Sequence, residues 1–236
     1  GNVCIDACPG SGKTRAVISK ILRCFREVEG TARRVACITY TNAGVDEVHA
    51  RLKRQFGRSE IENAIELRTI HAFCLAKILR PYFWLLNDVR SEFQVLAYDD
   101  VRCREIVASV AASYGISANV ARKFEFLRRS SALPDGITTA AANAYWQELQ
   151  NQNLVDFDGV VHFSAKLCQA FSFIPCGLAA NFKFFIVDEF QDTSSDQLAV
   201  LQCIAKHKFS TFFFVGDPHQ SIMRFAGAQP DAMTVF

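Results

Sequence analysis

Residues 3–14 read VCIDACPGSGKT, and the junction inside this stretch decides the fold. Residues 3–8 form a short apolar run of the kind a buried strand uses. Across 13–29 the apolar positions Val17, Ile18, Ile21, Leu22, Phe25 and Val28 recur at helical spacing, with Lys20, Arg23, Arg26 and Glu27 on the other faces. Between strand and helix lie Pro9, Gly10, Ser11 and Gly12, then Lys13, Thr14 and Arg15. Small residues at a strand-to-helix turn let backbone N–H groups converge on phosphate oxygens, Lys13 adds a point charge, and Thr14 can offer its hydroxyl to Mg²⁺. Ala7 stands where the strict phosphate-loop pattern has Gly, a change that costs little if φ there is negative.

Working outward, four more apolar runs read as strands: 34–41, 65–69, 182–187 and 211–216. Most are continuously apolar rather than alternating, which marks strands covered on both faces of a parallel sheet. The class is therefore α/β. A second helix is expected over 43–56, with Val45, Val48, Leu52 and Phe56 on one stripe and Asn42 as its N-cap. From 73 to 152 helical stretches follow one another with no convincing buried strand between them. This reads as a helical insertion, with turns at Leu133-Pro134-Asp135-Gly136 and at Tyr114-Gly115. The implied division is 1–76 for the first part of the α/β domain, 77–154 for the insertion and 155–236 for the second part.

The run 184–197, FFIVDEFQDTSSDQ, carries a strand straight into two acids. Ligands of a parallel sheet bind beyond the C-terminal ends of its strands, so Asp188 is expected beside the phosphate loop. Asp188 suits the metal, directly or through water, and Glu189 is placed to deprotonate the water that attacks a γ-phosphate.

Composition narrows the partners little. Half of the 236 residues are hydrophobic and the formal charge is only +2, so the chain folds and any nucleic-acid surface must be local. The nine cysteines sit in apolar settings without zinc spacing, which points to reduced, buried thiols of an intracellular protein. No apolar run approaches the length of a membrane span. The first residue is not Met and the chain opens directly in a strand, which suggests a trimmed fragment. The arginine-rich pieces Arg33-Arg34, 51–54 and Arg128-Arg129 read as solvated faces.

Six segments in order resemble superfamily 1 DNA helicases of the UvrD/Rep/PcrA type: ACPGSGKT, ITYTNAGVDEV, RTIHAFC, VDFDGVV, IVDEFQDTSSDQ and VGDPHQSIMRFAGA. The resemblance implies a RecA-like P-loop NTPase sheet flanked by helices, with a helical insertion subdomain. It assigns Pro9, Gly10, Ser11, Gly12, Lys13, Thr14, Arg15, Asp188, Glu189 and Gln220 to ATP, with Thr14 and Asp188 on Mg²⁺ and with Lys13, Glu189 and Gln220 in catalysis. Gln191 and Asp192 would couple the nucleotide to the DNA side. Tyr40, Thr41, Asn42, His71 and Phe225 fall at positions that contact single-stranded DNA, where aromatic faces and backbone contacts hold a strand without reading its sequence.

The chain departs from the family pattern at Ala43, Ile70, Ala72, Gly159, Met223 and Ala226, none of which touches the triphosphate chemistry. The resemblance also implies a second RecA-like domain that supplies arginines to the cleft, and an adenine-reading segment upstream, both expected to lie outside these 236 residues. The leading expectation is the first motor domain of a 3′-to-5′ translocase or helicase acting on single strands or junctions, with repair or recombination proteins as possible partners and no membrane. The compartment would be the cytoplasm of a prokaryote or the nucleus of a eukaryote. A non-catalytic, nucleotide-gated scaffold in a repair complex is the alternative, while a metabolic P-loop kinase leaves 40–42 and 220–222 unexplained.

Overall fold

The computed structural model describes residues 3–6, 12–54, 63–86, 92–128 and 133–217. In chain order the main elements are β1 (Val3–Asp6), α1 (Lys13–Val28), β2 (Arg34–Thr39), α2 (Asn42–Lys53), β3 (Ile65–Thr69) and α3 (Ile70–Cys74). Helix α3 runs on through a π-helical turn at Leu75–Leu79 and a short turn at Arg80–Tyr82. Then come β4 (Gln94–Leu96), α4 (Val101–Ser113), α5 (Ala118–Ala121), α6 (Thr139–Asn151), β5 (Leu154–Asp156), α7 (Phe157–Ala170), α8 (Phe173–Asn181), β6 (Phe182–Val187), α9 (Ser195–Ala205) and β7 (Thr211–Gly216).

Five strands form one sheet in the order β1-β7-β6-β2-β3, and every pairing is parallel. Parallel neighbours need crossovers, and helices cover both faces. On one face Val35, Cys37, Ile65, Phe184, Ile186, Phe213 and Val215 pack against α1 and α2. On the other, Ala36, Ile38, Phe182, Phe185, Val187, Phe212 and Phe214 meet α3, α7, α8 and α9. Burial on both faces is why these strands read as unbroken apolar runs. Phenylalanine dominates the second layer: Phe185 stacks on Phe212 at 4.8 Å, and Phe73 packs edge-on to Phe185 at 6.0 Å.

The region between α3 and α7 has a core of its own, in which α4 and α6 close on Leu96, Phe124, Tyr145 and Leu154. It is not purely helical, contrary to the expectation for 73–152: β4 pairs in parallel with β5. Three-residue strands are too short for a period to show. The N-cap of α2 is also corrected. Thr41, not Asn42, caps it, its Oγ1 accepting from the Gly44 N–H at 3.1 Å. The two arginines expected on a solvated face at 33–34 are partnered. Arg33 donates to the carbonyls of Ala179, Ala180, Phe182 and Phe209, closing the end of α8, and Arg34 pairs with Glu66 at 2.6 Å.

Seven cysteines among the described residues are free thiols, six of them buried. Burial pushes Cys24 up to about 11 and Cys74 to about 12, so neither is a thiolate near neutral pH. Among the described residues no single helix is long and apolar enough to cross a membrane.

Candidate functional site

All five strands point the same way, so their C-terminal ends share one edge. In sheet order that edge carries the end of β1, Asp217 after β7, Asp188 and Glu189 after β6, Tyr40 to Asn42 after β2, and His71 after β3. β7 lies between β1 and β6, so one strand separates the strand that leads to Lys13 from the one that ends in the acids.

Gly12 begins α1 from the left-handed region, at φ 86°, a conformation that favours glycine and explains the last Gly of the GSG turn. It places Lys13 in the first turn, and Lys13 reaches across β7: its Nζ lies 3.6 Å from Glu189 Oε2. Lys13 is 15% exposed and Glu189 42% in their side chains. Asp188 closes β6 with its N–H on the Ile38 carbonyl, and its carboxylate accepts from the Glu189 N–H at 3.0 Å. Burial, with the Glu189 charge beside it, pushes the Asp188 carboxyl up to about 6, while Lys13 only partly offsets this. Glu189 itself stands at φ 51°, a strained conformation for a side-chain-bearing residue.

Beyond the acids, Phe190–Asp192 forms a 3₁₀ turn and Ser194 caps α9 in a reciprocal capping box with Gln197. The polar cluster after the acids is therefore a helix start.

On the β2 and β3 side, Tyr40, Thr41, Asn42 and His71 line one cavity of about 550 Å³ together with Phe157 and Asp158. His71 stacks on the exposed ring of Phe157, with centroids 4.1 Å apart, and its Nε2 lies 3.7 Å from Asp158 Oδ1. Tyr98 donates to the other Asp158 oxygen at 3.4 Å. Sequence reasoning named VDFDGVV as a segment but missed Phe157 and Asp158. The available signal was Asp156, which caps α7 and leaves the next aromatic at the surface.

Arg128 is likewise not on a solvated face. It is 9% exposed and pairs with Asp156, 1% exposed, at 3.1 Å, with its guanidinium over Trp146 and Phe163. Asp156 also accepts from the Gly159 N–H at 2.8 Å, and a Cβ at Gly159 would lie 2.2 Å from its carboxylate. The Asp156 carboxylate therefore folds back over the Gly159 backbone, in space a side chain would share. Pro9, Gly10, Ser11, Gln220 and Phe225 lie outside the described residues, as do the departures at Met223 and Ala226. Thr14 sits half-buried in the first turn of α1 and Arg15 is exposed there.

The fold defines a class first, a parallel α/β domain with its candidate side chains strung along one sheet edge. Residues 1–236 match the family model of the UvrD/REP helicase N-terminal domain, and the chain belongs to that family. It is similar to the ATP-dependent DNA helicase Rep of Buchnera aphidicola from Acyrthosiphon pisum, at 27% identity over 98% of this chain and 37% of that protein. Rep of Escherichia coli is 25% identical over 96% of this chain and 35% of its own length. PcrA of Staphylococcus epidermidis is 25% identical over all of this chain and 35% of its own. The chain thus spans about a third of the length of these relatives.

Proposed function

We propose that this chain is the first RecA-like motor domain of an ATP-driven, 3′-to-5′ single-stranded-DNA translocase or helicase that acts in repair or recombination. The observation that carries the reading is the approach of Lys13 to Glu189, with Asp188 adjacent, at one sheet edge. The names of its relatives, ATP-dependent DNA helicases, support reading ATP and DNA across to this chain.

In this reading Pro9 to Thr14 cradle the triphosphate, with Arg15 beside it, and Gln220 senses the γ-phosphate. Glu189 takes the proton of the attacking water, a role that can contribute about 10²–10⁴-fold. The donor set suits Mg²⁺: a hydroxyl and a carboxylate, both hard oxygen ligands, and no ready-made cage of three or more His, Cys, Asp or Glu among the described residues. Thr14 and Asp188 would hold the ion, which would neutralise charge on the phosphates. The raised Asp188 is a carboxylate short of positive charge before a metal arrives.

Tyr40, Thr41, Asn42, His71 and Phe225 would grip the strand. The cavity supports this by joining the first four, with Phe157 as an additional stacking face. In this reading β1 and β6 would lead into nucleotide groups and β2 and β3 into strand-gripping groups, and β6, which pairs with both β7 and β2, would link the two halves. The proposed division is 1–76, 77–154 and 155–236, with Ile78, Leu79 and Phe83 as the seam that anchors the insertion to the sheet layer. A second RecA-like domain would supply the missing arginines, and repair or recombination proteins are the expected partners. The setting is intracellular.

The test is ATP turnover with and without single-stranded DNA, on residues 1–236 and on the full-length protein. The 236-residue chain should be slow or inactive and the full-length protein DNA-stimulated. Glu189→Gln in the latter should bind ATP and lose turnover. Robust DNA-stimulated turnover by the 236 residues alone would overturn the need for a second domain. A full-length protein that binds nucleotide without any turnover would favour the scaffold.

A further inference from the structure

Gln191 is 2% exposed, in the turn that follows the acids. Both ends of its amide are engaged: Nε2 donates to Glu189 Oε2 at 2.7 Å, and Oε1 accepts from the Asp217 backbone N–H at 2.9 Å. A backbone N–H can only donate, so the oxygen must face Asp217 and the NH₂ must face Glu189. The amide cannot flip without losing both bonds.

The packing around it leaves no slack. A Cβ at Gly216 would come 2.5 Å from Gln191 Oε1 and 3.3 Å from the backbone nitrogens of Phe190 and Gln191. Gly216 closes β7 in register with the end of β1, so the amide is referenced to the centre of the sheet edge. Glu189, by contrast, has a 42% exposed side chain, and Lys13 at 3.6 Å is beyond hydrogen-bond reach. Among the described residues, its carboxylate takes its hydrogen bond from Gln191.

We propose that Gln191 is the positioning residue of the Glu189 base. A chain of contacts runs from the β7 backbone through a buried amide to an otherwise exposed carboxylate, and sets the bearing from which Glu189 meets water. Gln191 touches no reacting atom in this role and acts through Glu189. The inference rests on the reading of Glu189 as the base and deepens it.

The experiment uses the full-length protein with Gln191→Leu, Gln191→Glu, Glu189→Gln and the Gln191→Leu/Glu189→Gln double variant, reading kcat, KM, binding of a fluorescent ATP analogue and thermal midpoint. Gln191→Glu keeps an acceptor for the Asp217 N–H but replaces the donor with a charge that repels Glu189. It should therefore lose turnover by about 10- to 100-fold, as misplaced catalytic groups do, with analogue affinity within about twofold of wild type. Gln191→Leu should be as slow and also melt lower, and the double variant should be no slower than Glu189→Gln alone. If Gln191→Glu turns over at the wild-type rate, or if the losses multiply, Gln191 is a packing residue and the proposal fails while the base stands. If Glu189→Gln turns over normally, the base reading itself fails and takes the positioning role with it.

Discussion

The carboxylates on the interior of this fold and those at its sheet edge are met by cations in different ways. Glu66, 6% exposed on β3, is met by Arg34 at 2.6 Å, Lys77 at 3.1 Å and Arg68. Burial works against its charge, yet hydrogen bonds from Arg68 and Lys77 and the charges of Lys77 and Arg34 hold it below the usual range. Asp156 is buried more deeply, and burial raises it despite Arg128, so Arg128 is the group that keeps its charge tolerable. At the sheet edge Asp188 and Glu189 stand side by side, Lys13 lies 3.6 Å from Glu189, and Asp188 is pushed up to about 6. Among the described residues Glu66 and Asp156 are each hydrogen-bonded to a cation, whereas Glu189 meets Lys13 only at 3.6 Å.

The comparison breaks first at Arg128. Arg128→Leu should destabilise the chain by about 3–5 kcal/mol at pH 7, because it strands a buried carboxylate. Urea unfolding measures this. The loss should shrink toward pH 4: a carboxyl raised in the folded state costs stability above its unfolded value, and the cost fades as pH falls through the folded one. A loss that does not change with pH would mean that Arg128 acts by packing on Trp146 and Phe163 alone. Glu66→Gln comes next, at about 1–2 kcal/mol, discounted because its cations are partly exposed. The sign with pH is reversed. A depressed carboxyl stabilises above its unfolded value and loses that contribution as pH falls through its folded one, so wild type and variant should converge as the pH is lowered. Divergence toward acid would contradict the neutralised reading of Glu66.

What could be read in advance follows range in the chain. Strands buried on both faces announce themselves as apolar runs, and the nucleotide half of the candidate site rests on neighbours in sequence: a GSGKT turn and a DE at a strand end. The arginines could not be read that way. Arg33 reaches carbonyls up to 176 residues away, Arg34 an acid 32 away and Arg128 an acid 28 away, and each looks like a surface charge beside its own neighbours. The cavity on the β2 and β3 side was half legible for the same reason. Tyr40 to Asn42 and His71 stand at strand ends that the sheet must align, whereas Phe157 and Asp158 arrive from β5 and α7. The cap of α2 slipped by one residue because Thr41 and Asn42 are both good caps and only the backbone chooses between them.

The smallest expected effect carries the opposite sign and cuts deepest into the comparison. Asp188→Asn removes a charge that the folded, nucleotide-free protein holds at a cost, since burial and Glu189 both oppose it. Because the folded value lies above the unfolded one, the wild-type penalty is fully present above about pH 6 and fades as pH falls toward the unfolded carboxyl range. The variant should therefore be more stable than wild type at pH 8, by about 1 kcal/mol or a rise of about 2–4 °C in Tm, and equal to it near pH 4. Adding Mg²⁺ and ATP should reverse the ranking, because only wild type gains stability by binding them through a carboxylate. An Asn variant less stable at pH 8 without nucleotide would make Asp188 an interior acid like Glu66, already satisfied by the fold and with nothing left to offer a metal.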